Sequence, residues 1–211
     1  MQVEYVVQRS WRKSTSMKIK DGKLYVYAPY LTTNAQIEKL ILSHQRWITN
    51  NLNKRRINLN YDLEKDDRIY LLGRCYRLTV HTGCRRNMII SDDEVILEGH
   101  SISTVSADLR DYLCAVIERH VQEIKSELAL DFTVSYRRYK SRWGCCYHAK
   151  NAIVLNYLLG CTEEGCIREV IYHEISHFTE HNHQKAFYRR LEQLCPDYRK
   201  WVRELKKYSI E

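Results

Sequence analysis

The chain has few of the residues that interrupt regular structure. Its 211 residues include only two prolines and seven glycines, which excludes collagen-like and Pro/Gly-rich low-complexity designs. It has no run of 18 apolar residues, so no membrane-spanning helix and no membrane partner are expected. The opening segment, MQVEYVVQRSWRKS, lacks a charged leader followed by a long apolar stretch, so no signal peptide is expected. The expected location is the cytoplasm, where the eight cysteines stay as reduced thiols rather than forming a disulfide framework. No two of them form a C-x-x-C pair, so a second, cysteine-held zinc is not expected. Buried, inert thiols are the default for the set.

What the chain does contain is the composition of a folded protein. Apolar residues are 44% and charged residues 28%, close to soluble averages and against wholesale disorder. The length suits one domain with a full core, or two small ones. The net charge is +8, carried unevenly: 14 basic against 9 acidic side chains in residues 132–211, and 20 against 17 before them. Such an excess raises attraction to polyanions. It supports a second functional reading, a nucleic-acid-associated protein, with Lys185, Arg189, Arg190, Arg199, Lys200, Arg203, Lys206 and Lys207 as the basic face.

Hydrophobic period divides the chain into elements. VEYVVQRS, STSMKIK and KLYVYAP alternate, and the last two flank Asp21-Gly22, a strong hairpin signal. Over 34–55, Ile37, Leu40, Ile41, His44, Trp47, Ile48 and Leu52 recur at helical spacing. Thr32, Thr33 and Asn34 are capping candidates, and Lys54, Arg55 and Arg56 suit the helix C-terminus. Residues 68–98 read as a meander of short strands. A long helix over about 104–129 carries the stripe Val105, Leu109, Tyr112, Val116, Ile117, Val121, Ile124 and Leu128. Two strand-like runs follow, joined near 148–151, and then three helices over about 163–181, 184–194 and 197–207. Strands and helices are grouped rather than alternating, which predicts an α+β fold.

One motif carries chemistry. His173, Glu174 and His177 spell H-E-x-x-H within IYHEISHFTEHNH. Residues four apart share a helix face, so both imidazoles reach one metal ion, and Glu174 projects beside it to take a proton from water. Val170, Ile171, Ile175 and Phe178 supply the apolar anchorage such a helix needs. With 9 His and 16 Glu in the chain, a shuffled sequence contains this pattern only about 0.03 times, so a run of surface histidines is a poor explanation. A catalytic zinc takes three protein ligands and leaves one position open. His183 leads as the third ligand, provided the helix breaks after about Thr179, with Asn182 as a left-handed stop. The spacing follows the extended H-E-x-x-H-x-x-G-x-x-H pattern of metzincins, with Glu180 at the glycine position. Glu192 and Glu180 are rivals for the third place. His181 is excluded on an unbroken helix, lying two turns from His173.

The segments RSWRKS, DGKLYVYAP, SRWGCC, IVLNYLL and IYHEISHFTEHNHQKAFYRRLEQLCPDYRKW, in this order over residues 6–201, resemble the YgjP-like family of predicted zinc metallopeptidases. These are distant cousins of SprT-like and other zincin domains. The resemblance implies a zincin-like core over 101–211 with His173, His177 and His183 as Zn2+ ligands and Glu174 as the catalytic residue. The strand and helix texture places a β-rich part with one long helix over 1–100, packed on this core or forming one compact domain with it. The resemblance also implies an edge strand near 142–146 that takes an extended peptide. The family usually has serine before the second cysteine of Cys145-Cys146, so no role needing a hydroxyl at 145 carries over. Trp143 reads as a wall residue. Arg142 is a candidate either to orient a carbonyl or to pair with the neighbourhood of Glu174, and Tyr188 and His181 are candidates to stabilise an oxyanion. The expectation is a zinc-dependent hydrolase acting on a peptide or protein; the alternative is a nucleic-acid-associated protein, or a DNA-recruited protease, whose zinc site is structural or regulatory.

Overall fold

The structure, a computed structural model, describes residues 4–20, 22–52 and 56–210. Asp21 of the expected turn and Lys54 and Arg55 of the expected helix end lie outside the described residues. Backbone contacts divide the chain into two units, Met1–Arg56 and Ile57–Glu211.

In the first unit, β1 (Tyr5–Ser10), β2 (Ser16–Lys20) and β3 (Lys23–Pro29) form a sheet in the order β1-β3-β2. The expected hairpin is β2–β3, antiparallel with Met17 opposite Val26, and Gly22 takes the left-handed φ of 71° its turn needs. β1 instead lies parallel to β3. Alternation buries Leu24, Val26 and Ala28 on one face, where Ile37, Ile41 and Ile48 cover them. The single helix expected over 34–55 is two, α1 (Asn34–Ser43) and α2 (Gln45–Leu52). Thr33 caps α1 in a reciprocal pairing with Gln36. His44 ends it with backbone angles of −113° and 14°, and its Nδ1 lies 3.0 Å from the Leu40 carbonyl. The break turns His44 and Trp47 out of the apolar stripe, and both are exposed.

The second unit opens with β4 (Ile57–Asn58), which pairs in parallel with the terminal strand β12 (Tyr208–Ser209). β5 (Arg68–Leu71), β6 (Arg74–Thr82), β7 (Asn87–Ile90) and β8 (Glu94–Gly99) form a sheet in the order β5-β6-β8-β7. This corrects the expected meander, because β6 and β8 are parallel neighbours and β7 lies outside β8. Local turns encode the β5–β6 and β7–β8 hairpins. The β6–β8 pairing joins them through burial of Leu78, Val95 and Leu97.

α3 (Ile102–Leu128) explains why this unit does not divide near residue 100. Ser101 caps its start and Ala129, at φ 48°, its end. Its first half packs Val105, Leu109 and Leu113 on the four-stranded sheet. Its second half packs Val116, Ile117, Val121 and Ile124 into the core below the metal-motif helix. One helix thus serves both cores. β9 (Thr133–Arg137), β10 (Gly144–Tyr147) and β11 (Ala152–Asn156) follow, ordered β10-β11-β9, with β10 at one edge. α4 (Glu164–Ser176), α5 (Lys185–Leu194) and α6 (Tyr198–Leu205) complete a mixed α+β architecture. No described helix is long and apolar enough to cross a membrane.

α4 is buried along Cys166, Ile167, Val170, Ile171 and Ile175, each aliphatic contributing about 1.5–3 kcal/mol by burial. A polar clamp also ties it to α3. Arg168 donates through Nη2 to both Glu127 carboxylate oxygens at 2.8 Å and through Nη1 to Glu123 at 3.1 Å. The Tyr172 hydroxyl donates to Glu127 at 2.8 Å. Arg168 and then Tyr172 hold the Glu127 pKa below its ordinary value. A group so depressed stabilises the fold above its unfolded pKa and loses that contribution as pH falls through the folded one. The urea midpoint of Glu127→Gln should therefore lie below wild type at neutral pH, and the gap should close in acid. The half-exposed carboxylate keeps the effect small. A gap that persists unchanged in acid would contradict the assignment.

Candidate metal centre

His173 and Glu174 sit in the last turn of α4, and His177 caps its C-terminus. The helix stops earlier than the expected 181. His177, Phe178 and Thr179 donate backbone hydrogen bonds three residues back, at 3.2, 3.0 and 3.3 Å, tightening the end into a narrower helix. Asn182 is not a left-handed stop, since its φ is not positive. The chain leaves the helix through these short-range bonds and brings His183 back before α5.

The result is one cluster. One ligand-type atom from each of His173, His177 and His183 lies within 4.8 Å of the others. Among the described residues this is the group able to hold a metal ion. His173 Nε2 and His183 Nε2 are 2.9 Å apart, a separation at which two protonated nitrogens would repel. Burial, and then the neighbouring imidazoles, push the His173 pKa down to about 4. Burial also lowers that of His177. Neutral imidazole is the metal-binding form. His177 Nδ1 lies 2.9 Å from the Glu180 carbonyl. A proton on Nδ1 donated there leaves Nε2 free for a ligand. Glu180 therefore acts through its backbone. Glu192 is exposed, with Oε1 3.8 Å from Arg199 Nη2, and is not among the clustered ligands.

Phe187 forms the floor of the cluster. It is fully buried, and its ring centroid lies 4.9, 4.6 and 4.6 Å from those of His173, His177 and His183. The sequence marks it only as a core position of α5. Glu169, one turn before His173, also escapes the motif. It is buried, and its Oε1 lies 3.9 Å from His173 Nδ1 with no hydrogen-bond partner among the described residues. Burial raises its pKa to about 8, with the Glu174 charge adding. The i, i+4 spacing to His173 was the only signal that could have found it. Groups set behind a ligating imidazole fix its orientation. Because Glu169 stands 3.9 Å from His173 Nδ1 without a hydrogen bond, Glu169→Gln should weaken metal affinity in a chelator competition by less than the roughly 10- to 100-fold of a hydrogen-bonded partner, and unchanged affinity would remove Glu169 from the site.

Glu174 lies in a cleft of about 400 Å3 lined by Arg142, Gly144, Cys145, Cys146, His148 and His181 together with the three clustered histidines. Burial raises its pKa to about 7, partly offset by Arg142. Cys146, beside it, is pushed up to about 11 by burial and then by the Glu174 charge, which leaves a neutral thiol. Gly144 of the edge strand explains how the carboxylate fits. A Cβ at 144 would lie 2.5 Å from Glu174 Oε1 and 2.8 Å from Cγ. Gly144→Ala should displace Glu174 and lower turnover about 10- to 100-fold with the metal retained; wild-type turnover would show that the carboxylate has other room. Trp143 is half-buried and packs against both cores, in keeping with a wall residue. His181 lines the cleft with its ring 4.0 Å from that of His148. Tyr188 packs on Tyr198 and His183 at 6.3 and 6.4 Å and is exposed.

A mixed α+β frame that gathers three imidazoles able to hold a metal ion, with a buried carboxylate lining the same cleft, is a candidate metal centre. The chain belongs to the YgjP-like family: the model of its metallopeptidase domain matches residues 13–208. It is thereby placed in a family of metal-dependent hydrolases. No curated protein and no solved structure matches it significantly.

Proposed function

We propose that the protein is a zinc-dependent peptidase whose Zn2+ is held by His173, His177 and His183, with Glu174 as the general base. The observation that carries this reading is the convergence of three imidazole nitrogens within 4.8 Å in the cleft that also holds Glu174. The donor set fits zinc, since it offers three nitrogen ligands and leaves a side facing the cleft. When bound, zinc supplies Lewis acidity, polarising a carbonyl and acidifying water.

The chain's own residues do the rest. Glu174, with a pKa near 7, accepts a proton from a water in the cleft and returns it to the departing amine. Gly144 leaves the room in which that carboxylate sits. β10 is an edge strand, so its backbone offers hydrogen bonds to an extended substrate. Arg142 and the imidazoles of His148 and His181 line the same cleft and supply donors toward a substrate carbonyl. Eight free thiols suit a reducing compartment, the cytoplasm, as the place of work.

The test is cleavage of a diverse peptide library followed by mass spectrometry. The zinc-loaded protein should cut peptides, a strong chelator should abolish cutting, and added zinc should restore it. Equal cutting by metal-free protein would overturn the reading.

A further inference from the structure

We propose that residues 137–142, from the end of β9 through the loop before β10, form a docking platform for an acidic stretch of the polypeptide substrate. The peptide occupant rests on the peptidase reading; the preference for acidic chemistry rests on the platform itself.

The segment Arg137-Arg138-Tyr139-Lys140-Ser141-Arg142 carries four cations. No aspartate or glutamate occurs anywhere from residue 132 to residue 162. Arg137, Arg138, Lys140 and Arg142 are all exposed, and none forms an ion pair with a described carboxylate. Elsewhere in this unit some arginines are paired, Arg86 with Asp108, Arg119 with Glu164, and Arg168 with Glu123 and Glu127, whereas this stretch has no acidic residue of its own. Arg142 also feels the Glu174 carboxylate, but Arg137, Arg138 and Lys140 face no described carboxylate, and this locally positive stretch attracts an anion from outside.

The loop is also built to hold its shape. Asn156, fully buried at the end of β11, donates through Nδ2 to the carbonyls of Tyr139 at 3.0 Å and Arg142 at 3.3 Å. Its backbone N–H donates to the Trp143 carbonyl at 2.8 Å, and its Oδ1 accepts from Leu158 at 3.2 Å. The buried Asn156 amide thus pins the loop at Tyr139 and Arg142, and the Asn156 backbone anchors its exit at Trp143. The Arg142 guanidinium lies over the Tyr139 ring at 5.5 Å, which orders that side chain as well. Order before binding lowers the entropy cost of capturing a partner.

Continuity with the cleft identifies the partner as a polypeptide. Arg142 lines the cleft, and the next residues lead directly into β10, whose free edge suits an extended chain. A peptide on that edge would run its flanking residues over the four cations. A nucleic-acid strand following the same path would bring phosphates against the Glu174 carboxylate.

The experiment compares a fluorescein-labelled peptide carrying four glutamates with its counterpart carrying four glutamines. Binding to the full zinc-loaded chain bearing Glu174→Gln is read by anisotropy at low and high salt. The glutamate peptide should bind about tenfold more tightly at low salt, and salt should erase the advantage. The triple variant Arg137→Gln/Arg138→Gln/Lys140→Gln, made on the same chain, should bring both peptides within about twofold while leaving the glutamine peptide's affinity unchanged. That unchanged affinity guards against misfolding. Equal binding of the two peptides, or a preference that survives the triple variant, would overturn the proposal. So would displacement by a single-stranded oligonucleotide that binds more tightly than the glutamate peptide. A preference in binding beside a peptide library that the wild type does not cut in a zinc-dependent way would sink the peptidase reading and leave the platform standing.

Discussion

Glu174→Gln should keep its metal and lose about 10²- to 10⁴-fold in turnover on any peptide that the wild type cleaves. The amide is the same size as the carboxylate, so the cleft and the clearance at Gly144 should be preserved. It cannot accept a proton, and proton transfer is the task assigned to this side chain. The metal should stay, because the three imidazoles rather than Glu174 form the ligand cluster. The effect should fall on kcat more than on KM, since substrate contacts along β10 are untouched. Metal analysis beside steady-state kinetics separates the two quantities. If this variant turned over as fast as wild type with its metal in place, Glu174 would not be the base.

The second large effect is expected at Phe187, which touches no substrate. Its fully buried ring lies within 5 Å, centroid to centroid, of all three clustered imidazoles. Truncation removes a core aromatic, at a cost of about 3–5 kcal/mol. It also opens a cavity beneath the rings that must converge on the ion. Phe187→Ala should therefore lower both the urea midpoint and the metal affinity. Phe187→Leu, which keeps most of the volume, should recover stability more fully than affinity, since an aliphatic side chain cannot pack edge and face on three imidazoles. Stability lost with wild-type affinity retained would show that the floor is dispensable.

The parts of this molecule that local chemistry dictates are the parts legible in its sequence. The α3 stripe, the β2–β3 hairpin and the spacing of His173 and His177 depend on residues a few places apart. The α+β class follows from the same local texture. The parallel pairings of β1 with β3, β6 with β8, β9 with β11 and β4 with β12 join strands with no common turn, so no local signal announces them. The break at His44 is set by a side chain reaching back to a carbonyl of its own helix, which an apolar stripe does not reveal. α4 ends at Ser176 without the stop residue assigned to it, because successive short-range backbone bonds suffice. At the site, the motif marks the imidazoles and Glu174, while Glu169, Phe187 and Gly144 carry no motif. Their importance is one of proximity: behind a ring, beneath three rings, and against a carboxylate.

The most direct test is zinc titration of the purified full chain, with metal content and X-ray absorption measured on wild type and on His173→Ala, His177→Ala and His183→Ala. The account predicts one tightly held zinc per chain in wild type, a nitrogen and oxygen ligand shell, and loss of tight binding in each variant. Wild-type affinity in His183→Ala, or sulfur in the ligand shell, would contradict it.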